Sequence, residues 1–126
     1  MPTIKRICAH FDSGERYFEA SGKRHCFGEG SGPYEYLLGA LSGCFTYTLF
    51  DECEGKVSFD SLDISVVGTK RDEIPSLLQE TEMVLVVKGC SDERKLVECI
   101  ERTKAHCSIF QTISKVCNIQ VAVEFK

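Results

Sequence analysis

Residues 32–46 read Gly32-Pro-Tyr-Glu-Tyr-Leu-Leu-Gly-Ala-Leu-Ser-Gly-Cys-Phe-Thr46, and the fold turns on how this stretch is read. Pro33 has a fixed φ and no amide hydrogen to satisfy, so it suits the first turn of a helix. From Tyr34 to about Glu54, positions Tyr34, Leu37, Leu38, Leu41, Cys44, Phe45, Thr48 and Leu49 keep the three-and-four spacing of one helical face. Gly39, Ala40, Ser42 and Gly43 fall mostly on the other side. A glycine costs about 1 kcal/mol relative to alanine inside a helix, so these small residues predict close approach of a second helix or a partner subunit. The stretch reads as a buried central helix, ended by Gly55-Lys56.

Upstream, Thr3–Phe11, Glu15–Ser21 and Arg24–Phe27 read as three short strands joined at Asp12-Ser-Gly and Ser21-Gly-Lys, a meander. Gly28-Glu-Gly-Ser-Gly-Pro then breaks regularity before the helix. Downstream, Val57–Thr69 alternates at Leu62, Ile64 and Val66, and Leu77–Lys88 supplies a paired strand ending in Met83-Val-Leu-Val-Val. Ser91 is the expected N-cap of a helix to about Ala105, with Leu96, Val97 and Ile100 at helical spacing and Cys99 on its flank. A further helix is expected over Cys107–Val116, and a last strand over Asn118–Phe125.

The chain has 126 residues, 43% of them hydrophobic, enough for one compact domain, residues 1–126, with a core that needs no disulfide staples. Its eight cysteines (8, 26, 44, 53, 90, 99, 107, 117) contain no CxxC and no Cys/His quartet, so structural zinc is not expected, and no cofactor is called for. Met1-Pro-Thr-Ile-Lys-Arg has no apolar signal region, and no segment reaches the roughly 18 apolar residues of a membrane span. The expectation is a cytoplasmic protein with reduced thiols and no membrane contact. A formal charge of −4, with basic residues paired only at Lys5-Arg6, Lys23-Arg24 and Lys70-Arg71, argues against nucleic acid as a partner.

Two cysteines stand in unusual settings, Cys44 in the helix and, 63 residues on, Cys107 in Lys104-Ala-His-Cys-Ser-Ile-Phe110. A mid-helix thiol such as Cys44 reads either as a small buried hydrophobe with a raised pKa or as a reactive group. Cys107 falls where a helix begins, so unsatisfied amides would lower its pKa. His106 beside it could share a proton or stand half exposed. The other six cysteines read as filler or surface thiols.

The segment Gly32–Thr46 resembles the long-helix motif of the OsmC/Ohr superfamily, Pro-x-Glu-x-Leu-Leu-x-Ala-Leu-x-x-Cys, with Cys44 at its first cysteine. Ala105-His-Cys-Ser-Ile-Phe-Gln-Thr-Ile resembles the second motif, a Cys-[Pro/Ser]-[Val/Ile] helix start, with Cys107 at its second cysteine. Length and element order agree, and the serine after Cys107 resembles the YhfA-like branch of OsmC-like proteins.

The resemblance implies an α+β fold in which a long central helix is wrapped by antiparallel sheets in an intertwined homodimer. It also implies a thiol-dependent peroxidase acting in oxidative stress defence. Cys44 would be the peroxidatic thiolate that reduces an organic hydroperoxide, Cys107 would resolve it as a disulfide, and a thiol reductant would restore both. The family supplies an arginine, tethered by a glutamate, to ionise the first cysteine. In its peroxidase branches that glutamate directly follows the proline, where this chain has Tyr34, with Glu35 one residue on. Glu35, Arg24 and Arg16 are therefore the candidates for those roles. Two alternatives stay open: a non-catalytic dimer that binds a hydrophobic small molecule, and a cysteine redox sensor.

Overall fold

A computed structural model describes residues 2–126. Strands β1 (Cys8–Phe11), β2 (Arg16–Ala20) and β3 (Lys23–Cys26) come first, then helix α1 (Pro33–Cys53). Strands β4 (Ser61–Lys70) and β5 (Leu78–Lys88), helices α2 (Glu93–His106) and α3 (Ser108–Ser114), and strand β6 (Asn118–Phe125) complete the chain. The chain divides into two compact units, one ending at Leu37 and one spanning Leu38–Lys126.

In the first unit β1, β2 and β3 form an antiparallel meander. The Asp12 carboxylate closes its first turn by accepting the Gly14 and Glu15 amides, both at 2.7 Å. The second turn, Ser21-Gly22, has positive φ at both residues (50° and 78°), the arrangement whose twist suits a two-residue hairpin. Phe18 gathers His25, Phe27 and Tyr36 around it, with ring centroids 4.9, 5.6 and 5.3 Å away. Even so, none of the described residues of this unit is buried. The first strand begins at Cys8 rather than Thr3.

Helix α1 begins as the proline predicts. Gly32 is its cap, its carbonyl accepting the Tyr36 amide at 3.1 Å. Glu35, at the third helical position, reaches back to accept the Gly32 amide at 2.9 Å, which is the acid's half of a capping box. The helix ends where Gly55, with φ +74°, takes the left-handed conformation that frees the last turn.

The second unit is built on the sheet β4-β5-β6. β5 is central, and Met83 aligns with Val66 and Val121, Leu85 with Ile64 and Val123, so one face of all three strands is apolar. Gly68 of β4 permits the closest approach: a Cβ there would lie 2.9 Å from Leu78 Cδ2 and 3.2 Å from Leu38 Cδ2 of α1. Leu41, Phe45 and Leu49 of α1, Leu96, Cys99 and Ile100 of α2, and Phe110 and Ile113 of α3 complete the core.

Several expectations are corrected. β5 and β6 run parallel, not antiparallel. The α2–α3 connection makes this feasible, since parallel neighbours need a crossover of about a dozen residues or more. β4 starts at Ser61 because Ser58 pairs instead with Ser91: the Ser58 amide donates to Ser91 Oγ (2.9 Å) and the Ser91 amide to the Ser58 carbonyl (2.8 Å). Ser91 is thereby taken, and Asp92 caps α2, accepting the Lys95 amide at 3.0 Å. Cys99 is fully buried rather than on a flank, whereas Val97 is exposed. Among the described residues no helix is long and apolar enough to cross a membrane.

Candidate functional site

α1 and the α2–α3 corner bring together the two cysteines singled out by their neighbours. Cys44, on α1, is half-buried, and Cys107 is fully buried. Their Sγ atoms lie 3.4 Å apart, with the Cys107 thiol donating toward Cys44. The sulfurs are in contact but not bonded, since a disulfide would need them about 2.05 Å apart.

Cys107 is not the first residue of α3 but its N-cap, and its sulfur accepts the Phe110 amide at 3.5 Å. An N-cap side chain takes the amide two or three positions into the helix, so the first amides are left for another acceptor. They favour the thiolate of Cys44, whose sulfur lies by the Ser108 hydroxyl, and Cys107 shares the Ile109 amide. Burial pushes the Cys44 thiol up, but the amides of Ile109 and Ser108, the Ser108 hydroxyl (3.6 Å) and the Cys107 thiol outweigh burial and hold it below the usual thiol range. For Cys107 the balance is opposite: burial dominates, the Phe110 and Ile109 amides compensate only in part, and the neighbouring Cys44 raises it further. This corrects the expectation that a helix start would ionise Cys107. The two neighbouring sulfurs are thus shifted in opposite directions, Cys44 toward the thiolate and Cys107 toward the thiol.

Glu35, Arg24 and Arg16 lie in the first unit, with the following partners there. The Glu35 carboxylate caps α1, and among the described residues it makes no ion pair with an arginine. Arg24 sits between Glu15 (3.3 Å) and Glu19 (3.6 Å), its guanidinium 3.8 Å from the centroid of the Tyr17 ring. Arg16 opens β2, opposite Phe11, and its carbonyl accepts the Phe27 amide. The donors found around Cys44 come from Cys107, Ser108 and Ile109.

His106 is exposed, one of its two expected settings, and pairs with a residue of α1. Its Nδ1 meets Glu52 Oε1 at 2.6 Å, while Glu52 Oε2 receives Arg102 Nε at 3.1 Å. Glu52 is two turns past Cys44 on α1, with a side chain only 17% exposed. The His106 contact first, and the Arg102 guanidinium with it, hold the Glu52 carboxyl below the usual range. Arg102 also donates to Cys99 Sγ at 3.2 Å. Burial first, and the neighbouring Cys99 with it, push the Cys53 thiol up to about 12, against a smaller opposing pull from Arg102. Sequence reasoning missed Glu52 and Ser108, because their partners lie more than fifty residues away along the chain.

Among the described residues the one grouping with metal-ligand spacing is His10, Asp12 and Glu15, fully exposed at the first turn of the meander. Asp12 there already serves two backbone amides and His10, and Glu15 serves Arg24. A groove of about 440 Å³ runs along α1, lined by Gly43, Thr46, Tyr47, Phe50, Leu62 and Ile64 among others.

A family model described as OsmC-like protein matches residues 26–122. Among solved structures, a hypothetical protein from Aquifex aeolicus VF5 superposes with a TM-score of 0.89 at 19% identity, over 99% of this chain and 98% of that one. An OsmC like protein from Mycoplasma pneumoniae gives 0.85 at 18% identity, over 99% of each chain. The organic hydroperoxide resistance protein OhrB of Bacillus subtilis gives 0.66 at 16% identity, over 98% of each. At these identities the likeness is one of fold. No curated protein matches the chain.

Proposed function

Because the chain belongs to the OsmC-like protein family, we propose that it is a thiol-dependent peroxidase that reduces organic hydroperoxides through Cys44 and Cys107. The observation that carries this reading is the 3.4 Å contact between two unlike thiols, Cys44 held below the usual thiol range and Cys107 above it. The name of the Bacillus subtilis structure suggests the substrate class.

In the proposed cycle the Cys44 thiolate attacks one oxygen of the peroxide bond. The O–O electron pair leaves with the alkoxide, which takes a proton to become the alcohol, and Cys44 becomes a sulfenic acid. The Cys107 thiol then attacks the Cys44 sulfur, and the hydroxyl departs with the thiol proton as water, leaving a disulfide. Closure requires the sulfurs to approach by about 1.4 Å. A dithiol, or two monothiols in turn through a mixed disulfide, returns both cysteines to thiols and leaves as the oxidised disulfide. Arg16, Arg24 and Glu35 carry no step in this scheme.

A homodimer belongs to the same proposal. The unburied aromatic residues of the meander, and Tyr47 and Phe50 on α1 (76% and 48% exposed), support a second copy as their cover. The apolar groove beside α1 favours the second reading, a dimer that binds a hydrophobic small molecule without turnover.

Consumption of cumene hydroperoxide with dithiothreitol tests the choice. The peroxidase predicts turnover that Cys44→Ser abolishes, and a Cys107→Ser variant whose sulfenic acid is trapped by dimedone. No rate above the Cys44→Ser control would sink the peroxidase and leave the binding reading.

A further inference from the structure

The α2–α3 corner that carries Cys107 is internally stiff. The Cys107 amide continues α2 by donating to the Thr103 carbonyl (2.8 Å), the Gln111 amide donates to the Cys107 carbonyl (3.0 Å), and Gln111 Nε2 donates to the Lys104 carbonyl (2.7 Å). What fixes this corner against α1 is a separate question, and Cys44 is on α1. Among the described residues the ion pairs that join α1 to α2 both fall on one side chain, Glu52. Its two oxygens take one partner each, the Arg102 guanidinium and the His106 ring, four residues apart on the last turns of α2. His106 is covalently next to Cys107, so this grip ends one residue from the second sulfur.

We propose that Glu52 is the positioning residue for Cys107: by holding Arg102 and His106 it sets where the second thiol stands against Cys44, and hence how fast oxidised Cys44 closes to a disulfide. Glu52 touches neither sulfur of the pair and acts through the corner. The inference rests on the two-cysteine reading above, but closure itself needs no hydroperoxide. A diazene such as diamide drives the same geometry. The Cys44 thiolate adds to one nitrogen while the other takes a proton. The Cys107 thiol then attacks the Cys44 sulfur, and the hydrazine leaves with the thiol proton, so two thiols are oxidised and one N=N bond is reduced. Misplacing reacting atoms by about 1 Å costs up to roughly a hundredfold in rate.

The test compares the wild-type chain with Glu52→Ala, Glu52→Gln and His106→Ala, reduced and checked for folding by circular dichroism. Two rates are read by acid quench and peptide mass spectrometry: alkylation of Cys44 by iodoacetamide, and appearance of the Cys44–Cys107 linked peptide after diamide. Alkylation is expected to stay within about twofold of wild type while closure slows roughly ten- to hundredfold in Glu52→Ala. Glu52→Gln, which keeps one acceptor oxygen, should recover part of the loss. His106 is exposed, so His106→Ala should fold even where Glu52→Ala does not, and it should slow closure severalfold. Closure at the wild-type rate in the folded variants, or equal loss in both steps, overturns the proposal. If the wild type closes with diamide and depends on Glu52, yet consumes no hydroperoxide, the peroxidase reading fails and the positioning role stands.

Discussion

Replacing Ser108 asks whether α3, rather than an arginine, ionises Cys44. Ser108→Ala removes a hydroxyl 3.6 Å from the Cys44 sulfur, and Ser108→Pro removes the residue's amide as well. Proline is tolerated at the first helical position, which Ser108 occupies, so α3 should persist. A long hydroxyl-to-sulfur hydrogen bond contributes about 0.5–1 kcal/mol to the thiolate, which is about two- to fivefold in the thiolate-to-thiol ratio. Losing the amide too should cost about another 1 kcal/mol, bringing the ratio down by roughly ten- to thirtyfold. The rate falls less than the population, because a more basic thiolate is intrinsically more nucleophilic, with a Brønsted slope of about 0.4–0.5. At a pH below the Cys44 pKa, alkylation of Cys44 should therefore slow about twofold in Ser108→Ala and about fivefold in Ser108→Pro. The sign reverses in alkali. Once Cys44 is ionised in every variant only nucleophilicity differs, and Ser108→Pro should then be about threefold faster than wild type. The assay is iodoacetamide alkylation against pH, followed on the Cys44 peptide. Profiles that coincide, or that fall in parallel without crossing, would refute the assignment of the α3 amides and hydroxyl as the donors.

Gly89→Ala should lower stability by about 1–3 kcal/mol, read as a lower denaturant midpoint. Gly89 has φ +68°, and an added Cβ would lie 2.1 Å from Asp60 Oδ2; an unchanged midpoint would mean that this turn is not held as described. The wild-type chain should run as a dimer in light scattering, and Tyr47→Glu, which puts a charge on the exposed face of α1, should shift it toward monomer; a monomeric wild type removes the homodimer from the proposal.

Much of the fold was legible because local chemistry decides it. Pro33 and Gly55 bracket α1 as a helix start and stop should, and the alternation of Asn118–Phe125 survives unchanged as β6. What misled were residues with a competing partner far along the chain. Ser91 has the right chemistry for an N-cap, but Ser58 engages it across 33 residues, and Asp92 takes the cap. The direction of β6 is likewise invisible in its own sequence, since an alternating strand reads alike in either orientation. Glu52 was silent for the same reason: a glutamate near a helix end looks like a solvated acid until Arg102 and His106 are brought to it. A faint sign was present, in that two cationic residues four apart on α2 share a face.

The two cysteines show most clearly where sequence reasoning stops. Motif resemblance paired Cys44 with Cys107, and placing Cys107 at a helix start correctly identified a source of free amides. The error lay in assuming that the residue at the start receives them. A capping side chain folds back over the third amide, here that of Phe110, while the Ser108 amide contributes to the group packed against the helix end and the Ile109 amide to both sulfurs. That group is the mid-helix thiol, whose sequence context alone suggested a raised pKa. Burial works against both sulfurs, so the difference between them comes from how many donors each receives. Cys44 collects two amides, a hydroxyl and a thiol, and ends below the usual range; Cys107 has the Phe110 amide and a share of the Ile109 amide, gives its own proton toward its neighbour, and ends above it. A two-step thiol reaction needs this order, because a first sulfur that stayed protonated would attack slowly, and a second that ionised first would compete for the oxidant. Exchanging the roles would require moving α3 relative to α1, the relation that Glu52 guards. The donors at Ser108 and the clamp at Glu52 therefore act on successive steps, and a Ser108→Pro, Glu52→Ala double variant should slow alkylation by the first change and closure by both.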